Sequence, residues 1–128
     1  MTEVDLRLPG DPGAASTARR SLAILANKVS REVYEDVRLL VTELITNSVR
    51  HAGLNGKASI HLRVSAEDDL VRVEVEDPGT GFEPRDRSAL LTEASGWGLY
   101  LVEKLTDRWG VKSAGGTCVW FEIDSPTS

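Results

Sequence analysis

A chain of 128 residues with 41% apolar and 27% charged side chains has the size and make-up of one globular domain, 1–128, able to bury a core without staples. Its net charge of −5 argues against a partner gripped by its phosphate backbone, as DNA and RNA are, and no apolar run is long enough to span a membrane. Cys118 is the one cysteine, so no intrachain disulfide forms; the opening MTEVDLRLPG also lacks the basic start and apolar run of a signal peptide, and a cytoplasmic setting is expected.

In chain order, EVDLRL alternates and predicts a first strand, closed by the turn-forming PGDPG. Residues Ala14 to Ser30 place Ala18, Leu22, Leu25, Ala26 and Val29 on one helical face. A second helix is expected over Glu32 to Ala52, with Val37, Leu40, Val41, Leu44, Ile45, Ser48 and Ala52 as its inner stripe and Gly53 as C-cap. ASIHLRVSA and LVRVEVED alternate on either side of EDD and predict a hairpin. PGTGFEPRDR breaks regular structure, and a weak helical stretch, DRSALLTEA, follows. SGWGLYLVEKLTDR predicts a helix with Leu99, Val102 and Leu105 inward, and WGVKSAGGTCVWFEID a second hairpin turning at AGG.

This order predicts an α+β, two-layer sandwich: a mixed or antiparallel sheet, taken as a mixed five-stranded one, with three main helices on one face. Val119, Phe121 and Ile123 should face the helices, and Cys118, Trp120 and Glu122 the opposite way. If Trp109 joins Trp120 there, the open face carries an apolar patch suited to a homodimer or a sigma-factor contact; local gap-filling is the competing reading. Cys118, in a strand-like run, reads as a packed thiol rather than a reactive one.

Three features carry chemistry. Glu43, Asn47 and His51 recur every fourth residue and stack on one face of the second helix, an unusual row of acid, amide and imidazole. DPGTG, Asp77 to Gly81, ends a strand, and by itself is an ordinary turn signal. GWGL, Gly96 to Leu99, opens a helix where backbone N–H groups can meet an anion; it is neither a Rossmann fingerprint nor a P-loop.

The combination is more specific than its parts. A helix with Glu43 and Asn47, then DPGTG, then GWGL, then GGT entering the last strand, resembles the four-box signature of the GHKL ATP-binding superfamily. TELITNSVRHAG, DPGTGF, GLYLVEKLTDRWGV and GGTCVWFEI are most similar to its bacterial anti-sigma-factor serine/threonine kinase branch, over nearly the whole chain.

The resemblance implies ATP and Mg²⁺. By it, Asn47 offers its carbonyl oxygen to Mg²⁺, a suitable hard ligand, and Glu43, one turn earlier, takes a proton from the attacking hydroxyl or water. Asp77 reads the adenine amine, which guanine lacks at that position, and Thr117 supports the same base edge. Gly79 and Gly81 keep side chains clear of the nucleotide; Gly96, Gly98 and Leu99 belong to the phosphate-holding loop and helix start. Trp97 either stacks or covers the loop. His51 is expected to pack or hydrogen-bond at the pocket; Arg50 points off the shared face, and His61 is isolated on a strand, with no second metal ligand at a suitable spacing.

Phe82 to Ser95 corresponds to the nucleotide lid and is short. Arg85 and Arg87 there are candidate phosphate contacts, or simply solvated. The implied activity is a protein kinase acting as anti-sigma factor, with an anti-sigma-factor antagonist of STAS type as substrate and a sigma factor as partner. The alternatives are a sequestering module that holds ATP without efficient transfer, and an inactive scaffold; retention of Glu43, Asn47 and Asp77 argues against the latter.

Overall fold

The structure, a computed structural model, describes residues 2–51, 59–77, 97–113 and 116–125. The expected Gly53 cap, the glycine box 78–81, the weak helix, the lid, Gly96 and the residues Ala114 and Gly115 of the last turn lie outside them.

Asp11 starts the helix layer: its Oδ1 accepts the Gly13 N–H at 2.9 Å, bending the chain after β1 (Thr2–Pro9) into α1 (Ala14–Ser21). The expected single helix over 14–30 is divided. Ser21 Oγ donates to the Ala18 carbonyl at 2.6 Å, and Leu22–Leu25 continues as a 3₁₀ turn. A three-residue period keeps Leu22 and Leu25 in line and fully buried, and turns Ala26 out to solvent, against the helical expectation.

Ser30 Oγ then accepts the Val33 N–H at 3.2 Å and caps α2 (Arg31–His51), a contribution of about 1 kcal/mol. Val33, Val37, Leu40, Val41, Leu44 and Ile45 form its buried stripe. Each fully buried aliphatic contributes about 1.5–3 kcal/mol against the entropy of ordering the chain.

β2 (Ser59–Glu67) and β3 (Leu70–Asp77) form the expected hairpin. Asp68 and Asp69, with φ of 53° and 64°, make a two-residue left-handed turn of the kind that matches strand twist. After α3 (Trp97–Leu105), β4 (Arg108–Ser113) and β5 (Thr117–Asp124) complete the sheet.

The strand order is β1-β2-β3-β5-β4, and all four neighbouring pairs are antiparallel. The mixed sheet is therefore not realised; the hairpins account for two of the pairs, and β1 and β5 each add to them antiparallel. α2 packs between α1 and α3, and Val64, Val73, Phe121 and Ile123 meet the helices from below.

Register overturns the two-tryptophan patch. Trp109 stands opposite Phe121 and so shares its core face, whereas Trp120 stands opposite Gly110 on the open face. Gly110 leaves room for the indole: a Cβ there would come within 2.7 Å of Trp120 Nε1. Arg72 covers the ring from 4.6 Å. Around it runs a lattice of ion pairs, with Arg72 bonding Glu74 and Glu122 at 2.9 and 2.8 Å, and Arg108 bonding Glu122 at 2.6 Å. His61, far from isolated, lies between Asp5 at 2.6 Å and Glu76 at 4.0 Å. Cys118 is buried, and burial beside Glu74 and Glu76 pushes its thiol pKa up, which suits a packed rather than a reactive group.

Candidate functional site

Connections assign the two ends of the sandwich. Lys28 and Val29, from the α1–α2 connection, line one cavity with Thr2, the Asp68–Asp69 turn and Ser125. α2 begins just beyond Val29, and its 21 residues make about 31 Å, enough to cross the sheet to the opposite end. There β3 finishes at Asp77 and β5 begins at Thr117. The Glu43–Asn47 face thus belongs to the half of α2 nearest those two residues.

α3 is oriented by its C-terminus. The Asp107 N–H donates to the Glu122 carbonyl at 2.9 Å, and the Asp107 carboxylate accepts the Asp124 N–H at 2.7 Å, near the far end of β5. The first turn of α3, with Gly98 and Leu99, therefore points back toward Asp77 and Thr117. Its N–H groups have no intrahelical acceptor and favour negative charge.

Asp77 and Thr117 are directly opposite in the β3–β5 ladder, on the face turned to the helices. Thr117 is 9% exposed and its buried Oγ1 has no hydrogen-bond partner among the described residues; Asp77 Oδ1 is buried too. A buried hydroxyl left unsatisfied costs about 1–3 kcal/mol. A carboxylate beside a hydroxyl can accept and donate hydrogen bonds to the polar edge of a ligand.

Glu43 and Asn47 are half-buried, with their carboxylate and amide one turn apart. Arg50 is exposed, as expected. The structure thus brings Glu43, Asn47, Asp77, Gly98, Leu99 and Thr117 to one end of the fold. Gly79, Gly81, Arg85, Arg87 and Gly96 lie outside the described residues, as does the His51 side chain. What residue types alone did not reveal is that Asp77 and Thr117 form one cross-strand pair; the alternation of LVRVEVED and TCVWFEID carries that signal once the strands are aligned by their valines.

The histidine kinase-like ATPase domain family matches residues 8–123, and the chain belongs to that family. Among curated relatives, the serine-protein kinase RsbW of Listeria innocua is 33% identical over 120 residues, covering 82% of this chain and 76% of that one. RsbW of Oceanobacillus iheyensis is 28% identical over 131 residues, covering 91% and 82%. The solved RsbU and RsbW domains of Rv1364c from Mycobacterium tuberculosis match with a TM-score of 0.75 at 21% identity, over 98% of this chain and 32% of that one. The catalytic domain of the histidine kinase ThkA matches with a TM-score of 0.61 at 14% identity, over 98% and 97%. At such identities the structures speak for the fold. No helix among the described residues is long and apolar enough to cross a membrane.

Proposed function

We propose that the chain is a cytoplasmic ATP-dependent serine/threonine protein kinase that acts as an anti-sigma factor, phosphorylating an antagonist of STAS type and holding a sigma factor as its regulated partner. The observation that carries this reading is the Asp77–Thr117 pair at the end of the sheet that the Glu43–Asn47 half of α2 covers. The names of the RsbW relatives support it.

Asp77 accepts a hydrogen bond from the adenine amine, and the Thr117 hydroxyl, without a partner among the described residues, gains one. Gly98 and Leu99 offer first-turn N–H groups to the phosphates. The Asn47 carbonyl oxygen holds Mg²⁺; among the described residues no cluster of three or more His, Cys, Asp or Glu side chains competes for a metal. Bound Mg²⁺ neutralises charge on the phosphate oxygens. Glu43 accepts the proton of the substrate serine as its oxygen bonds to the γ-phosphorus and the bond to the β-phosphate oxygen breaks, releasing ADP. By motif, Gly79 and Gly81 keep side chains clear of the nucleotide, and Gly96, Arg85 and Arg87 belong to its phosphate end.

Titration calorimetry tests the binding half of this reading. Mg²⁺-dependent ATP binding with much weaker GTP binding is expected; equal affinity for both removes Asp77 from its role. ATP binding without transfer to any antagonist protein favours the sequestering module instead.

A further inference from the structure

The cavity at the far end of the fold from Asp77 and Thr117 has no part in the nucleotide reading. It encloses about 630 Å³, within the range of sites that take whole small molecules. Its lining comes from separate parts of the chain: Thr2 at the start of β1, Lys28 and Val29 before α2, residues 66–71 around the β2–β3 turn, and Ser125 just after β5.

Ser125 is the unusual member. It is 4% exposed, and its N–H donates to the Asp69 carbonyl at 2.7 Å, which fixes it in the wall. Its Oγ is buried and has no hydrogen-bond partner among the described residues. A hydroxyl in that state costs stability, and it can accept a hydrogen bond as well as donate one.

Charge supplies the second signal. Glu67, Asp68 and Asp69 put three consecutive carboxylates at the cavity, against the single ammonium of Lys28. Glu67 and Asp68 are exposed and enter no ion pair among the described residues. The turn does not require this much charge: its two left-handed positions would be served as well by Asn and Gly. The chain's net charge of −5 adds to a field that draws cations. Val29, Ala66 and Leu70 give the same cavity apolar surface. A ligand that meets all of this is cationic, carries N–H donors and has an aliphatic body. A bare divalent metal ion meets it less well, since among the described residues no three His, Cys, Asp or Glu side chains are grouped to hold one.

We propose that this cavity is a binding site for a small aliphatic polyamine. Its ammonium groups lie against Glu67 and Asp68, one N–H donates to Ser125 Oγ, and its methylene chain lies on Val29 and Leu70. α2, β3 and β5 all run from this cavity toward the candidate nucleotide site, so the two ligands occupy opposite ends of the fold and do not compete for space.

Titration calorimetry with spermidine on the full chain, with amide NMR to locate the contact, tests the site. One equivalent should bind saturably, and the shifted amides should be those of residues 66–71 and 125. Glu67→Gln combined with Asp68→Asn, which keeps a residue suited to the turn, should weaken binding about tenfold. Ser125→Ala should weaken it about fivefold. Lys28→Gln removes the opposing charge and should tighten it about threefold. Glu35→Gln, an acid on α2 outside the cavity, should leave it unchanged. Absence of saturable binding, shifts scattered over acidic residues elsewhere, an affinity unmoved by the Glu67–Asp68 pair or by Ser125, weaker binding in Lys28→Gln, an equal loss in Glu35→Gln, or displacement by Mg²⁺ at constant ionic strength overturns the proposal.

Discussion

Thr117 stands directly across the β3–β5 ladder from Asp77, and its buried hydroxyl has no hydrogen-bond partner among the described residues. A group left in that state lowers the stability of the free protein, and under the proposed function a bound nucleotide satisfies it. Thr117→Val, close in shape, should therefore stabilise the free protein by about 1 kcal/mol while weakening ATP binding about fivefold. Urea unfolding and calorimetry on the same variant check the two opposite changes.

Asp77→Asn replaces a charged acceptor with an amide. A charge-assisted hydrogen bond contributes about 1.5–3 kcal/mol, so ATP affinity should fall by about 10- to 100-fold. GTP, whose base carries a carbonyl where adenine carries that amine, should lose far less. A competition titration with both nucleotides reads the difference.

Gly110→Ala should destabilise the fold. The added methyl would lie 2.7 Å from Trp120 Nε1, and the indole is held from its other side by Arg72. Crowding of this kind costs about 1–3 kcal/mol, visible as a lower thermal midpoint. Gly110→Ala combined with Trp120→Val should recover part of the loss, because the clash is with the ring.

Acid should loosen the open face of the sheet. Hydrogen bonds from Arg108 and Arg72 hold the Glu122 carboxyl below the usual carboxylate range, and the hydrogen bond from His61 does the same for Asp5. A pKa lowered on folding means stability that is fully present above the unfolded value and is lost as pH falls through the folded one. Urea midpoints should thus decline as pH drops below about 4.5, the ordinary carboxylate range. Glu122→Gln should start lower and decline less.

The sequence reading and the structure part company at identifiable places. The α2 stripe and the β2–β3 hairpin were legible because the 3.6 period holds through Val37–Ile45 and the two-residue period holds through Ile60–Val64 and again through Val71–Val75. The division of the first helix was not, since Leu22 and Leu25 suit a 3₁₀ turn as well as an α-helix, and the choice depends on Ser21 bonding back to Ala18. The face of Trp109 stayed open because alternation within β4 fixes relative sides only; which side is inward follows from its pairing with Phe121. At the candidate site, the placing of Glu43 and Asn47 one turn apart on α2 was legible from their spacing. The opposition of Asp77 to Thr117 and the direction of α3 are tertiary facts, fixed by strand register and by the tie from Asp107 to β5.

The proposed kinase activity depends most on Glu43 taking the serine proton at a nucleotide held by Asp77 and Asn47. The direct measurement is transfer of labelled γ-phosphate from Mg·ATP to a serine of an antagonist protein, by the wild-type chain and by Glu43→Gln at equal nucleotide occupancy. Labelling by the wild type and a loss of about 100-fold or more in the variant, with ATP affinity unchanged, is the expected result. Labelling by Glu43→Gln at the wild-type rate would contradict it.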